Sequence, residues 1–160
     1  MITLDVYLIQ HAESKLKEED PERPLTDRGK ETAEKVRAYL AKLGVTFERV
    51  FHSGKLRAQQ TAEILAGIAV NNEVEAHADL DPMDPVEPIM RWISDLHERG
   101  FKSVAIVGHL PFLDKLSSTL ITGRESAEVI AFQNAGVVKL VPKAKVQGYA
   151  VRWILSPELL

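Results

Sequence analysis

Two histidines in this chain follow apolar runs, and an arginine lies near the start of a helical stretch between them. Val6–Ile9 leads directly into Gln10 and His11, and Ser103–Val107 leads through Gly108 into His109. Between them, "SGKLRAQQTA", Ser53 to Ala62, places Arg57 near the start of a helical pattern. Imidazole supplies a nucleophile or proton donor, while guanidinium forks and helix N-termini both favour phosphate. A single histidine after a strand is most often a cap or a surface residue. Two of them and an arginine at three strand ends point instead to attack on a phosphoryl group. His52, His77 and His97 lack that arrangement, although His52 precedes Ser53.

These residues need a scaffold that gathers strand ends. The run from Leu4 to Ile9 reads as a strand buried on both faces, the habit of parallel sheets. Thr26 is placed to cap a helix carrying Ala33, Val36, Leu40 and Leu43, which closes at Gly44. A strand is expected at Phe47–Phe51, a helix at Leu56–Ala69 and a weak strand at Glu73–His77. "DLDPMDPVEP" must be a loop. A helix then carries Ile89, Ile93 and Leu96, and Ser103–Val107 is the next buried strand. A helix from Pro111 to Leu120 follows, and after it strands are expected at Val129–Phe132, Val137–Val141 and Tyr149–Leu155. Alternating strands and helices predict an α/β fold: one domain over residues 1–160, a three-layer sandwich with a mostly parallel central sheet and helices on both faces. Ligands of such sheets bind beyond the carboxyl ends of the strands.

Composition narrows the classes. The 160 residues include no cysteine, which excludes disulfides, thiolate catalysis and Cys-ligated zinc. A net charge of −3 gives no general attraction to nucleic acid or to an anionic membrane, so an anion must be caught locally. The N-terminus has no basic segment ahead of its apolar run, and no apolar stretch is long enough to span a membrane. A cytoplasmic protein is expected. The histidines show no metal-binding spacing, and no glycine-rich nucleotide loop is present, so neither metal nor organic cofactor is expected. Oligomeric state is not legible.

Together the motifs resemble the histidine phosphatase superfamily, the group that includes the phosphoglycerate mutases, and so imply a phosphoglycerate mutase-like fold. "QHA" at Gln10–Ala12 resembles its R-H-G motif. "SGKLRAQQT" resembles S-P-x-x-R-A-x-Q-T, with Ser53, Arg57, Ala58, Gln60 and Thr61 matching. "GHLP" at Gly108–Pro111 resembles G-H-x-P, and "DPERPLTDRG" resembles the D-x-x-R-P-L-T-x-x-G segment of the SixA-type phosphohistidine phosphatases. The resemblance implies His11 as nucleophile, Arg57 and a protonated His109 on the transferring phosphoryl group, and Ser53 and Gln10 among the phosphate-binding residues. It implies a leaving-group acid at Asp20 or at Asp81, which shares its loop with Asp79 and Asp84. The partner would be a phosphorylated protein domain or a small phosphoester. A mutase is disfavoured by the short length and the R-P-L-T segment.

One residue departs from the pattern. Gln10 stands where the family has arginine, and losing a donor aimed at developing charge costs about 2.7–4 kcal/mol, roughly 10²–10³ in rate. Lys15, Lys17 and Arg23, on the following polar segment, are candidates to restore the charge. The alternative is a phosphate- or phosphoprotein-binding module that no longer turns over.

Overall fold

In the computed structural model, residues 3–160 are described. Six strands form one sheet: β1 (Asp5–Gln10), β2 (Val50–His52), β3 (Glu75–Ala76), β4 (Ser103–Gly108), β5 (Val137–Pro142) and β6 (Tyr149–Leu155). Their order is β3-β2-β4-β1-β5-β6. The first four are mutually parallel, and β5 and β6 add an antiparallel hairpin beside β1. Four α-helices complete the fold: α1 (Asp27–Lys42), α2 (Leu56–Leu65), α3 (Glu87–Glu98) and α4 (Phe112–Thr122).

Strand alternation explains the three layers. Val6 and Leu8 of β1, with Val104 and Ile106 of β4, pack against Ile89 and Ile93 of α3 and Phe112 and Leu116 of α4. The intervening residues Tyr7, Ile9, Ala105 and Val107 face Ala33, Val36 and Leu40 of α1 and Ala58, Ala62 and Leu65 of α2. With successive side chains on opposite faces, a strand buried on both sides must be apolar throughout, as β1 and β4 are. The stripe read for α3 is buried, and so are Ala33, Val36 and Leu40 of α1, whereas Leu43 lies past the end of α1 and is exposed. Thr26 caps α1 by accepting the Gly29 N–H at 2.9 Å.

Several boundaries differ from the sequence reading: the weak strand expected at Glu73–His77 is only Glu75–Ala76, and the helix expected at Pro111–Leu120 runs Phe112–Thr122. Residues 129–132 form no strand: Ile130 is buried and Phe132 packs partly against the α3–α4 core, while the backbone runs on to bond β1's end. This apolar run serves burial rather than sheet pairing. The strand expected at Phe47–Phe51 is Val50–His52, Phe47 making only an isolated bridge to Ala69. Helix α2 ends at Leu65 and tightens into a 3₁₀ turn at Ala66–Ile68, a common way for a helix to end.

Adjacent parallel strands β1 and β4 lie far apart in the chain, and Gln10 pairs with Gly108 at their carboxyl ends. The residues that follow each, His11 and His109, therefore emerge side by side. This is where sequence pattern and topology together create a site.

Candidate active site

The backbone of His11 is held on both sides. Its N–H donates to Gly108 O at 3.0 Å, and its carbonyl accepts from Asn134 Nδ2 at 2.8 Å. Ala135 N–H donates to the Gln10 carbonyl at 2.9 Å. The ring is oriented through Nδ1, which lies 2.7 Å from Ala12 O. A carbonyl can only accept, so Nδ1 carries the proton and Nε2 keeps its lone pair. Burial, the largest effect, lowers the His11 pKa from 6.5 to about 4; the Ala12 carbonyl opposes this, and the charges of Arg57 and Arg23 add to it. His11 is thus a neutral imidazole with a free Nε2 at neutral pH.

His109 is buried, with its ring centroid 5.2 Å from that of His11. Its Nε2 lies 2.6 Å from Ser53 Oγ, so Ser53 orients this ring. Burial first, then the charges of His11, Arg57, Lys55 and Arg23, bring the His109 pKa down to about 3. The protein's own groups therefore hold His109 neutral, not protonated as expected; a phosphoryl dianion would act in the opposite direction.

Arg57 is the second residue of α2, whose start no side chain caps. Its Nε and the Nδ1 of His109 are buried atoms with no hydrogen-bond partner among the described residues. Burial lowers the Arg57 pKa, with Arg23 adding to the effect. Arg23 thus influences His11, His109 and Arg57 alike. It occupies the left-handed region at φ 51°, a conformation that costs of order 1–3 kcal/mol off glycine. Its Nε donates to Lys15 O at 3.1 Å and an Nη to Ser14 Oγ at 3.2 Å, which aim the guanidinium. Of the three cations considered from sequence, Arg23 is the one whose charge acts on the site; Lys15 and Lys17 do not figure among those charges. Lys55, which the sequence reading passed over, does act on His109.

Gln10 is the last residue of β1, and its Oε1 is buried with no hydrogen-bond partner among the described residues. Turning the amide about its last bond would present the Nε2 donor instead. Among the described residues, the side chains of Asp20 and Asp81 make no hydrogen bond to either histidine. Asp20 Oδ1 accepts from Glu22 N–H at 3.0 Å, and its carbonyl accepts from Arg23 N–H at 3.0 Å, so Asp20 shapes the turn that presents Arg23. Asp81 N–H donates to Asp84 Oδ2 at 2.9 Å, and Asp79 sits at φ 66°: these aspartates build a turn. No carboxylate is among the charges that shift His11 or His109.

His52 and His77, set aside on sequence grounds, also lie at strand carboxyl ends. His52 is buried and its Nδ1 accepts from Gly54 N–H at 3.0 Å, fixing the turn into α2. His77 stacks on Trp92 with centroids 4.1 Å apart. Both have local structural partners. Sequence inspection gave no sign of Asn134, which comes from a loop distant in the chain. Among the described residues no group of three His, Asp or Glu side chains is placed to hold a metal, and no helix is long and apolar enough to cross a membrane.

A sequence model of the histidine phosphatase superfamily (branch 1) matches residues 6–87, which carry both His11 and Arg57. The chain belongs to the histidine phosphatase superfamily. An uncharacterized protein of Picosynechococcus sp. is 28% identical over 140 residues, covering 86% of this chain and 84% of that relative. The phosphohistidine phosphatase SixA of Escherichia coli is 29% identical over 122 residues, 75% of this chain and 76% of that one. A solved structure of the protein histidine phosphatase SixA complexed with tungstate superposes with a TM-score of 0.85 at 24% identity, covering 97% of this chain and 98% of the other. The fold is therefore that of this superfamily, with the phosphoglycerate mutase-like sandwich expected from the motifs.

Proposed function

We propose that this histidine phosphatase superfamily member is a phosphatase of SixA type, working through a phosphohistidine formed on His11. One observation carries the reading: the His11 Nδ1–H bond to Ala12 O leaves a neutral Nε2 in a pocket whose charged neighbours are all cations. Nε2 attacks phosphorus in line, the bond from phosphorus to the leaving group breaks, and a P–Nε2 bond forms. Water then attacks phosphorus, the P–Nε2 bond breaks, and phosphate leaves with His11 restored. Arg57 and Arg23 hold the equatorial oxygens, and His109 gains a proton as the dianion enters. This is positioning and charge stabilisation, the usual substance of phosphoryl-transfer catalysis.

A site whose histidines feel no carboxylate charge suits a leaving group that departs without acid help. Imidazole, with a pKa near ~6.5, leaves neutral once its other nitrogen is protonated, whereas an alkoxide does not. Phosphohistidine on a protein domain is therefore the favoured substrate over an alkyl phosphoester. Gln10 lowers the rate without abolishing it, because Arg23 supplies charge to the same groups.

The unpartnered Gln10 Oε1 favours a second reading, a module that binds phosphoryl groups without turnover. Phosphate release by wild type, His11→Ala and Gln10→Arg, on a phosphohistidine-bearing protein and an aryl phosphate, separates the two. Wild-type turnover that disappears in His11→Ala supports the phosphatase. Wild-type binding with turnover only in Gln10→Arg supports the binding module.

A further inference from the structure

Helix α2 contributes more to this site than Arg57. Thr61 lies one turn beyond Arg57, and its Oγ1 donates to the Arg57 carbonyl at 2.8 Å. The same oxygen accepts the N–H of Ala12 at 2.9 Å, and Thr61 is fully buried. A hydroxyl has one proton to give and lone pairs to receive, so both bonds form together. Thr61 thereby joins the backbone of the phosphate-gripping residue to the peptide that follows His11.

That peptide is fixed at both of its polar atoms. Its carbonyl, the His11 O, accepts from Asn134, and its N–H, on Ala12, is taken by Thr61. With the Ala12 backbone so held, Ala12 O receives the proton of His11 Nδ1. The chain of contacts runs from Arg57 through Thr61 and Ala12 to the imidazole. One residue before Thr61 on α2, Gln60 Oε1 accepts the Leu25 N–H at 2.7 Å, tying the Arg23 segment to the same helix.

We infer that Thr61 is a positioning residue, whose hydroxyl fixes the aim and tautomer of His11 relative to Arg57. The inference rests on the phosphatase reading for its rate consequence, but its geometry can be tested separately. A helix threonine bonded only to its own backbone would make no such link; the Ala12 contact, 49 residues away in sequence, does.

The test compares wild type, T61V and T61S. Three readouts are taken: kcat and KM on a phosphohistidine-bearing protein, affinity for tungstate, and the ¹⁵N shifts of the His11 ring. T61V is expected to lose kcat on the order of 10²-fold, the scale of a misplacement of about 1 Å, with little change in KM. Its tungstate affinity should persist, and its His11 ring should show a mixture of tautomers in place of Nδ1–H. T61S, which keeps the hydroxyl, should match wild type in all three. Should T61V not fold, T61C carries the same readouts, since sulfur is a weak acceptor. Wild-type kcat and tautomer in the folded variant overturn the proposal, as does T61S being impaired equally, which would assign the loss to packing. If wild type hydrolyses no phosphorylated substrate, the phosphatase reading fails while Thr61 is still decided. A tautomer change in T61V upholds its role, and an unchanged ring overturns it.

Discussion

The imidazoles of His11 and His109 lie with ring centroids 5.2 Å apart and planes inclined by 50°, and His11 is among the groups that keep a proton off His109. Burial is the main cause for both, and the cations Arg57 and Arg23 reinforce it. The pair is thus two neutral rings, His11 with a free Nε2 and His109 able to become charged when an anion arrives.

The pH dependence follows from those shifts. A histidine ordinarily titrates near 6.5, whereas His11 is brought to about 4 and His109 to about 3. Between pH ~6.5 and ~4 the unfolded chain therefore binds more protons than the folded one, and stability falls as pH falls through that window. NMR titration of the two rings should show both neutral at pH 5, and urea midpoints should drop from pH 7 to pH 5. Adding tungstate should raise the His109 midpoint and draw protons from solution. A His109 ring that titrates near 6.5 without the anion would contradict this account.

Arg23 should carry part of the charge at the site, behind Arg57. Arg23→Ala removes a guanidinium whose field reaches His11, Arg57 and His109, and is expected to lower kcat/KM roughly 10²-fold. Gln10→Arg should raise the rate in the wild-type background and restore part of it in Arg23→Ala. Steady-state kinetics on the four proteins check this. An Arg23→Ala enzyme as fast as wild type would show that Gln10 has no compensating partner.

The acid-poor pocket predicts a steep dependence on the leaving group. Rates should fall from phosphohistidine through aryl phosphate to alkyl phosphate as the leaving group becomes more basic. Asp20→Asn and Asp81→Asn should each change kcat on phosphohistidine by less than about threefold, against the roughly 10²–10⁴-fold effect of losing a general acid. Asparagine preserves the turn at position 20, so a large loss there would assign a proton-transfer role to Asp20 rather than a shape role.

How far sequence led depended on whether a residue announced itself by type. His11, His109 and Arg57 stand at strand and helix ends that periodicity reveals, and β1 and β4 are apolar enough to be read as buried. The α3–α4 layer was legible for the same reason. Arg23 was visible as the arginine of R-P-L-T and as one of three cations on a polar stretch, but its action on the site was not, because it depends on a backbone turn at φ 51°. Asn134 and Lys55 gave no signal, since their roles arise from contacts between segments far apart in the chain or from a shared field. The apolar run at 129–132 misled because a loop that buries Ile130 and a short buried strand can carry the same residue types.

Gly29 offers a test of how tightly the fold grips the site. It is the third residue of α1, and a Cβ built there would overlap the carbonyl oxygen of Glu13, two residues beyond His11. The approach is backbone against helix, so no flexible side chain can give way. The same Glu13 carbonyl accepts Thr26 N–H at 3.0 Å, and its neighbour Ser14 holds the Arg23 guanidinium. Gly29→Ala should therefore cost about 1–3 kcal/mol through overpacking, lowering Tm by about 2–4 °C for each kcal/mol. It should also slow turnover in the fraction that remains folded, because displacing Glu13 disturbs both the segment behind His11 and the aim of Arg23. Thermal unfolding and kcat measured together decide it. Loss of stability with full kcat would mean that α1 can shift without moving the site, and that the contact at Gly29 serves packing alone.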